Sequence, residues 1–145
     1  VLESIKLYQA NTESLLRSAC LLLSKCFKEG LRTLVITKNE QTAVALDNML
    51  WTFSQQGFTP HALSTDNLIE MQPIVIAFDH LQDPSFDTLV LLERFDVAIQ
   101  GCKKVVLMFT EQDRSLAIQL QGSASCVSSN YYIQNSTGEW IQEKL

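Results

Sequence analysis

The sequence predicts an α/β fold: a mainly parallel β-sheet with helices on both faces and a C-terminal antiparallel hairpin at one edge. Three observations carry that expectation. Short apolar runs rich in β-branched residues alternate with stretches whose apolar residues recur every three or four positions, the βαβ order that forces strands to run parallel. The 145 residues are 46% hydrophobic and 19% charged, with five glycines and three prolines, which describes one globular domain over residues 1–145 and excludes disordered or low-complexity chains. Near the end, Asn135-Ser136-Thr137-Gly138 separates two strand-like segments, and turn chemistry of that kind closes hairpins.

Taken in order, residues 4–8 alternate, with Ile5 and Leu7 on one face and Lys6 and Tyr8 on the other, as a strand does. Asn11 or Thr12 then supplies an N-cap, and Leu15, Leu16, Ala19, Leu22, Leu23, Cys26 and Phe27 fall on one helical stripe. Gly30 ends that helix where a left-handed conformation suits glycine. Residues 32–37 form a second, more buried strand, and Asn39 caps a helix over residues 40–53. Short strands follow at 61–63, 74–77 and 88–92, a stronger one at 104–109, and residues 96–100 read as a short helix ended by Gly101. Residues 112–121 form a weaker helix, 126–134 a strand, and 139–141 the returning strand of the hairpin.

Bulk properties narrow the function. Net charge is −5 and the eleven Lys and Arg are scattered, with Lys103-Lys104 as the basic pair; nucleic-acid binders concentrate cations on one face because counterion release supplies their affinity, so no direct DNA binding is expected. The apolar runs, such as 19–23 and 105–109, fall far short of the roughly 20 residues that cross a bilayer, and no cleaved leader is read at the start, so the expectation is a cytoplasmic protein with no membrane contact. Cys20, Cys26, Cys102 and Cys126 lack C-x-x-C spacing and sit beside apolar neighbours; they read as buried thiols rather than metal ligands.

Catalytic chemistry finds little support. The loop after the first strand, Gln9-Ala10-Asn11-Thr12, has no glycine, and neither G-x-G-x-x-G nor G-x-x-x-x-G-K-[ST] occurs, so backbone amides are not bared for phosphates and no cofactor is expected. His61 starts a strand after Pro60 and reads as structural or interfacial, and His80 as surface. The carboxylate pairs Asp83/Asp87 and Glu111/Asp113 read as solvated caps, and no base, nucleophile and oxyanion donor converge, so no catalytic residue is assigned. The unusual feature is an aromatic cluster, Trp51, Phe53 and Phe58, followed by Pro60 and His61. If Ala43, Leu46, Leu50 and Phe53 form the buried stripe of their helix, Trp51 lies about 100° away from Leu50 and is partly exposed, either packing on its own loop or anchoring a partner.

That cluster also carries a resemblance. The run Ala45-Leu46-Asp47-Asn48-Met49-Leu50-Trp51-Thr52-Phe53, then Phe58-Thr59-Pro60-His61-Ala62-Leu63, resembles the L-D-x-x-L-W-x-[FY]…F-x-P-H-x-L signature of the chi subunit of bacterial DNA polymerase III. Agreement extends to residues 6–30, 72–76, 105–109 and 131–140, nearly the whole chain. The resemblance implies a Rossmann-like or helicase-like domain lacking the phosphate-binding loop and a non-enzymatic accessory subunit. It implies that Trp51, Phe58, Pro60 and His61 face the psi subunit of the clamp loader, or another clamp-loader component, or an iron–sulfur DNA-repair helicase. The alternative is a degenerate nucleotide-binding domain. A second surface in the family takes the acidic, Phe-terminated tail of single-stranded-DNA-binding protein; here its pocket would be lined by Leu116, Leu120, Gln121, Ser125 and Tyr132. The family's Arg and Lys positions hold approximately Gln121, Ala124 and Ser125, and residues 119–130 contain no Lys or Arg, so tail binding is expected to be weak or absent.

Overall fold

The computed structural model describes residues 2–53, 60–64, 72–79, 86–97, 99, 103–124 and 128–144. Among these residues eight strands form one sheet in the order β3-β4-β2-β5-β6-β1-β7-β8: β1 Ser4–Gln9, β2 Thr33–Thr37, β3 Ala62–Leu63, β4 Ile74–Ala77, β5 Thr88–Leu92, β6 Lys104–Phe109, β7 Ser128–Gln134 and β8 Trp140–Glu143. All neighbours pair in parallel except β7 and β8, which form the antiparallel hairpin. The α-helices among the described residues are α1 Leu15–Lys28, α2 Glu40–Thr52 and α3 Arg114–Ser123. None of the described helices is long and apolar enough to cross a membrane.

Side-chain alternation divides the core into two layers. Ile5 and Leu7 of β1, Leu34 and Ile36 of β2, Leu107 and Phe109 of β6 and Tyr131 of β7 pack with Ala117 of α3. The opposite side chains, Val35, Val90, Val106 and Met108, pack with Ala19 and Leu23 of α1 and Leu46 and Leu50 of α2. The sheet is therefore covered on both faces, as the alternation of elements predicted, and β2 and β5 are buried along their whole length.

Local chemistry sets the helix ends. Gly30 takes φ +74°, and the amides of Glu29, Gly30 and Leu31 bond to the carbonyls of Lys25, Phe27 and Cys26, closing α1 in the left-handed manner that glycine permits. Asn39 caps α2 as expected, its side chain accepting from the Thr42 amide at 2.9 Å.

Two expectations fail. Asn11 makes no side-chain cap; a 3₁₀ turn, Thr12–Ser14, precedes α1, and the Asn11 Nδ2 donates instead to the Asn135 carbonyl at 2.9 Å. The predicted helix at 96–100 is irregular at Asp96, Val97 and Ile99, its described residues. There Glu93 adopts φ +53°, and the Arg94 guanidinium donates to the carbonyls of Thr37 (3.0 Å) and Phe78 (2.7 Å) and to the Asp96 carboxylate. That side chain closes off the ends of β2 and β4 and pins the segment as a loop.

Candidate partner-binding surfaces

The first surface is built by α2 and the start of β3. Ala43, Leu46 and Leu50 turn inward, and the 100° step per residue puts Trp51 outside that stripe, 59% exposed, with Val44 two turns earlier at 40%. Beneath the indole lies His61, whose side chain is fully buried with Nε2 3.0 Å from Asp47 Oδ1. The approach is short but off the line of a hydrogen bond, so its attraction is that of an ion pair when the imidazole is protonated. The rings of Trp51 and His61 meet edge-on, with centroids 5.2 Å apart at 62°. Arg17 of α1 lies 5.3 Å over the Phe53 ring and secures the helix end. Of the four residues read for this surface, the structure brings Trp51 and His61 into contact and leaves Pro60 half-buried beside them; Phe58 lies outside the described residues. Asp47 was missed, although it stands one helical turn before Trp51 inside the signature run.

The second predicted surface is divided by the sheet. Leu116 is 48% exposed on α3, and Leu120 is half-buried against the core. Gln121 Nε2 donates to Ser129 Oγ at 2.9 Å. Tyr132 does not join them: it stacks on Tyr8 at 5.1 Å, on the α1 face, where Trp140 also meets Tyr8 edge-on at 5.2 Å. The aromatic beneath α3 is Tyr131, fully buried, with Arg114 at 5.6 Å over its ring and its hydroxyl donating to Gln9 Oε1. Ser125 lies outside the described residues. Arg114 is the single Lys or Arg between residues 111 and 134. Cations gather elsewhere: a cleft of about 210 Å³ beside Tyr8, Lys25 and Trp140 on the α1 face continues into a smaller one flanked by Lys6 and Lys104.

The third place of interest is the turn between β1 and α1, where doubly wound folds hold phosphates. Here Gln134 fills it: its Oε1 accepts from the Asn11 amide at 3.0 Å and from Ser14 Oγ at 2.7 Å, while its Nε2 donates to the Gly138 carbonyl at 3.3 Å. The oxygen of a side chain from β7 takes the donors that a phosphate oxygen would use. Nothing local in the sequence signals this contact, which spans 123 positions.

Among the cysteines, Cys20 and Cys26 are buried free thiols; burial pushes the Cys20 thiol from its ordinary 9.0 up to about 12 and also raises Cys26. Cys102 and Cys126 lie outside the described residues.

Comparison with known proteins gives one consistent result. The family model described as DNA polymerase III chi subunit, HolC matches residues 2–120. A curated relative from Rickettsia prowazekii (strain Madrid E), named probable DNA polymerase III subunit chi, is 24% identical over 151 residues, covering 96% of this chain and 91% of the relative.

Proposed function

The chain belongs to the DNA polymerase III chi subunit family, and from that premise we propose that it is a non-catalytic adaptor that docks on the clamp loader, through psi or an equivalent subunit, during DNA replication, with its link to single-stranded-DNA-binding protein weak because residues 119–130 carry no Lys or Arg. The observation that carries this reading is Trp51. An indole that is 59% exposed on a helix whose inward residues are fully packed adds little to its own fold, whereas aromatics dominate the energetics of protein interfaces. The filled β1–α1 turn supports the same reading, because the donors a nucleotide would need are engaged by Gln134.

The test is capture of purified psi subunit by the wild-type protein and by Trp51→Ala. Truncating an interface anchor costs ~2 kcal/mol or more, about thirtyfold in affinity, and the exposure of Trp51 predicts an unchanged unfolding midpoint. Equal capture by the two proteins sinks the reading, as does unfolding of the variant. An iron–sulfur helicase, assayed in parallel, identifies which partner uses the surface.

A further inference from the structure

We propose that Asp47 and His61 are positioning residues that hold the Trp51 ring in its docking orientation, without touching the partner themselves. The inference rests on Trp51 being a docking residue, as argued above, and adds how its ring is fixed.

The observation that calls for an explanation is a fully buried histidine beside a largely exposed tryptophan. An imidazole and a carboxylate withdrawn from water are costly, and an apolar pair of the same volume would pack as well or better. What the pair does provide is direction. Asp47 and Trp51 are i and i+4 on α2, hence on one face. His61 comes from a different element, immediately before β3. The Asp47 carboxylate, 3.0 Å from Nε2, abuts one edge of the imidazole and limits its movement away from α2, and the imidazole in turn meets the indole edge-on at 5.2 Å, an arrangement aromatic pairs favour over a free sandwich. Asp47 is 18% exposed at its side chain and His61 not at all, so a partner seated on the indole meets Trp51 and at most an edge of Asp47. An exposed tryptophan on a last helical turn would otherwise sample several rotamers, and fixing one before encounter removes part of the ordering cost of binding.

The experiment is a double-mutant cycle read together with the motion of the ring. The protein has two tryptophans, so Trp140→Phe leaves Trp51 as the sole indole for time-resolved fluorescence anisotropy. In that background Asp47→Ala is expected to increase the amplitude of fast indole motion about twofold while the unfolding transition stays cooperative. With psi as the probe, Asp47→Ala should weaken binding about tenfold when Trp51 is present and less than twofold when residue 51 is alanine, because a residue that acts only through Trp51 has nothing to act on once the ring is gone. Equal losses in the two backgrounds, or unchanged indole motion, overturn the proposal. Where Asp47→Ala fails to fold, the isosteric Asp47→Asn is carried through the same cycle with the same criteria. If Trp51→Ala leaves psi binding intact, the docking reading itself fails, and anisotropy alone then decides whether Asp47 restrains the ring.

Discussion

Replacing Gln134 with alanine tests how the β1–α1 turn is held. Three hydrogen bonds disappear: Asn11 N to Oε1, Ser14 Oγ to Oε1 and Nε2 to the Gly138 carbonyl. The first two are part-buried and the third is exposed, so water replaces the third at little cost, while the first two contribute a net ~0.5–1.5 kcal/mol each. The expected loss is about 2 kcal/mol, which for a chain of this size lowers the melting midpoint by about 6–7 °C. Gln134→Glu separates the contacts. It keeps oxygens for Asn11 and Ser14, adds negative charge near the amino end of α1 worth ~0.3–1 kcal/mol, and loses only the exposed donation, so its midpoint should stay near wild type. Scanning calorimetry of the three proteins at neutral pH is the assay. A Gln134→Ala midpoint within about 2 °C of wild type would falsify the latch, as would a glutamate variant as damaged as the alanine one.

Arg94→Ala leaves the carbonyls of Thr37 and Phe78 without their donors and should cost ~2–3 kcal/mol in urea unfolding, with Arg94→Lys recovering less than half because a point ammonium does not bridge both oxygens; a neutral effect of Arg94→Ala contradicts its role at the strand ends. Mass mapping at pH 8 should find Cys20 and Cys26 unlabelled by a thiol reagent in the native protein, since both are buried. Because the folded Cys20 thiol is raised from 9.0 to about 12, its contribution to stability is complete below pH 9 and is lost as pH rises from 9 toward 12; stability that increases over that window refutes the assignment. A peptide carrying the acidic, Phe-terminated tail should bind near or above ~1 mM in ~0.15 M salt, since two missing charge-assisted bonds cost ~1.5–3 kcal/mol each. Low-micromolar affinity refutes that, and the lysines of the α1-face cleft, Lys6, Lys25 and Lys104, are then the charges to neutralise.

The parts of the fold legible in the sequence are those written in local periodicity. Ile5 and Leu7 alternate with Lys6 and Tyr8, and the strand faces follow; Gly30 and Asn39 mark helix ends by conformations and side-chain bonds that act within four residues. What escaped was written in long-range pairing. The choice between Tyr131 and Tyr132 depends on register, because a step of one residue reverses the face. Leu7 of β1 stands beside Tyr131 of β7, and Tyr8 beside Tyr132, so the second tyrosine goes to the α1 side and leaves the predicted pocket. Asn11 looked like a cap because its neighbours are helical, yet its amide meets Asn135 across 124 positions. Asp47 stood in view within the signature run; its partner His61, on another element, gave it meaning only after the chain had folded.

The geometry of the sheet bears on how such a protein can connect two others. Trp51 and His61 sit by β3 at one edge, and α3 with the β7–β8 hairpin lies toward the other. Six strand spacings separate β3 from β7, which at about 4.8 Å each is roughly 29 Å across a rigid parallel sheet. Partners bound at that separation do not collide through side chains, and substitutions so far apart add independently. Under the proposed adaptor role, each end could be engaged without altering the other, with the strands between them, buried along β2, β5 and most of β6, as a spacer. The nucleotide-type turn lies on that spacer at the end of β1. With Gln134 seated in it, the hairpin is tied to α1, and the turn that nucleotide-binding doubly wound folds use for phosphate serves here to hold the sheet's far edge in place.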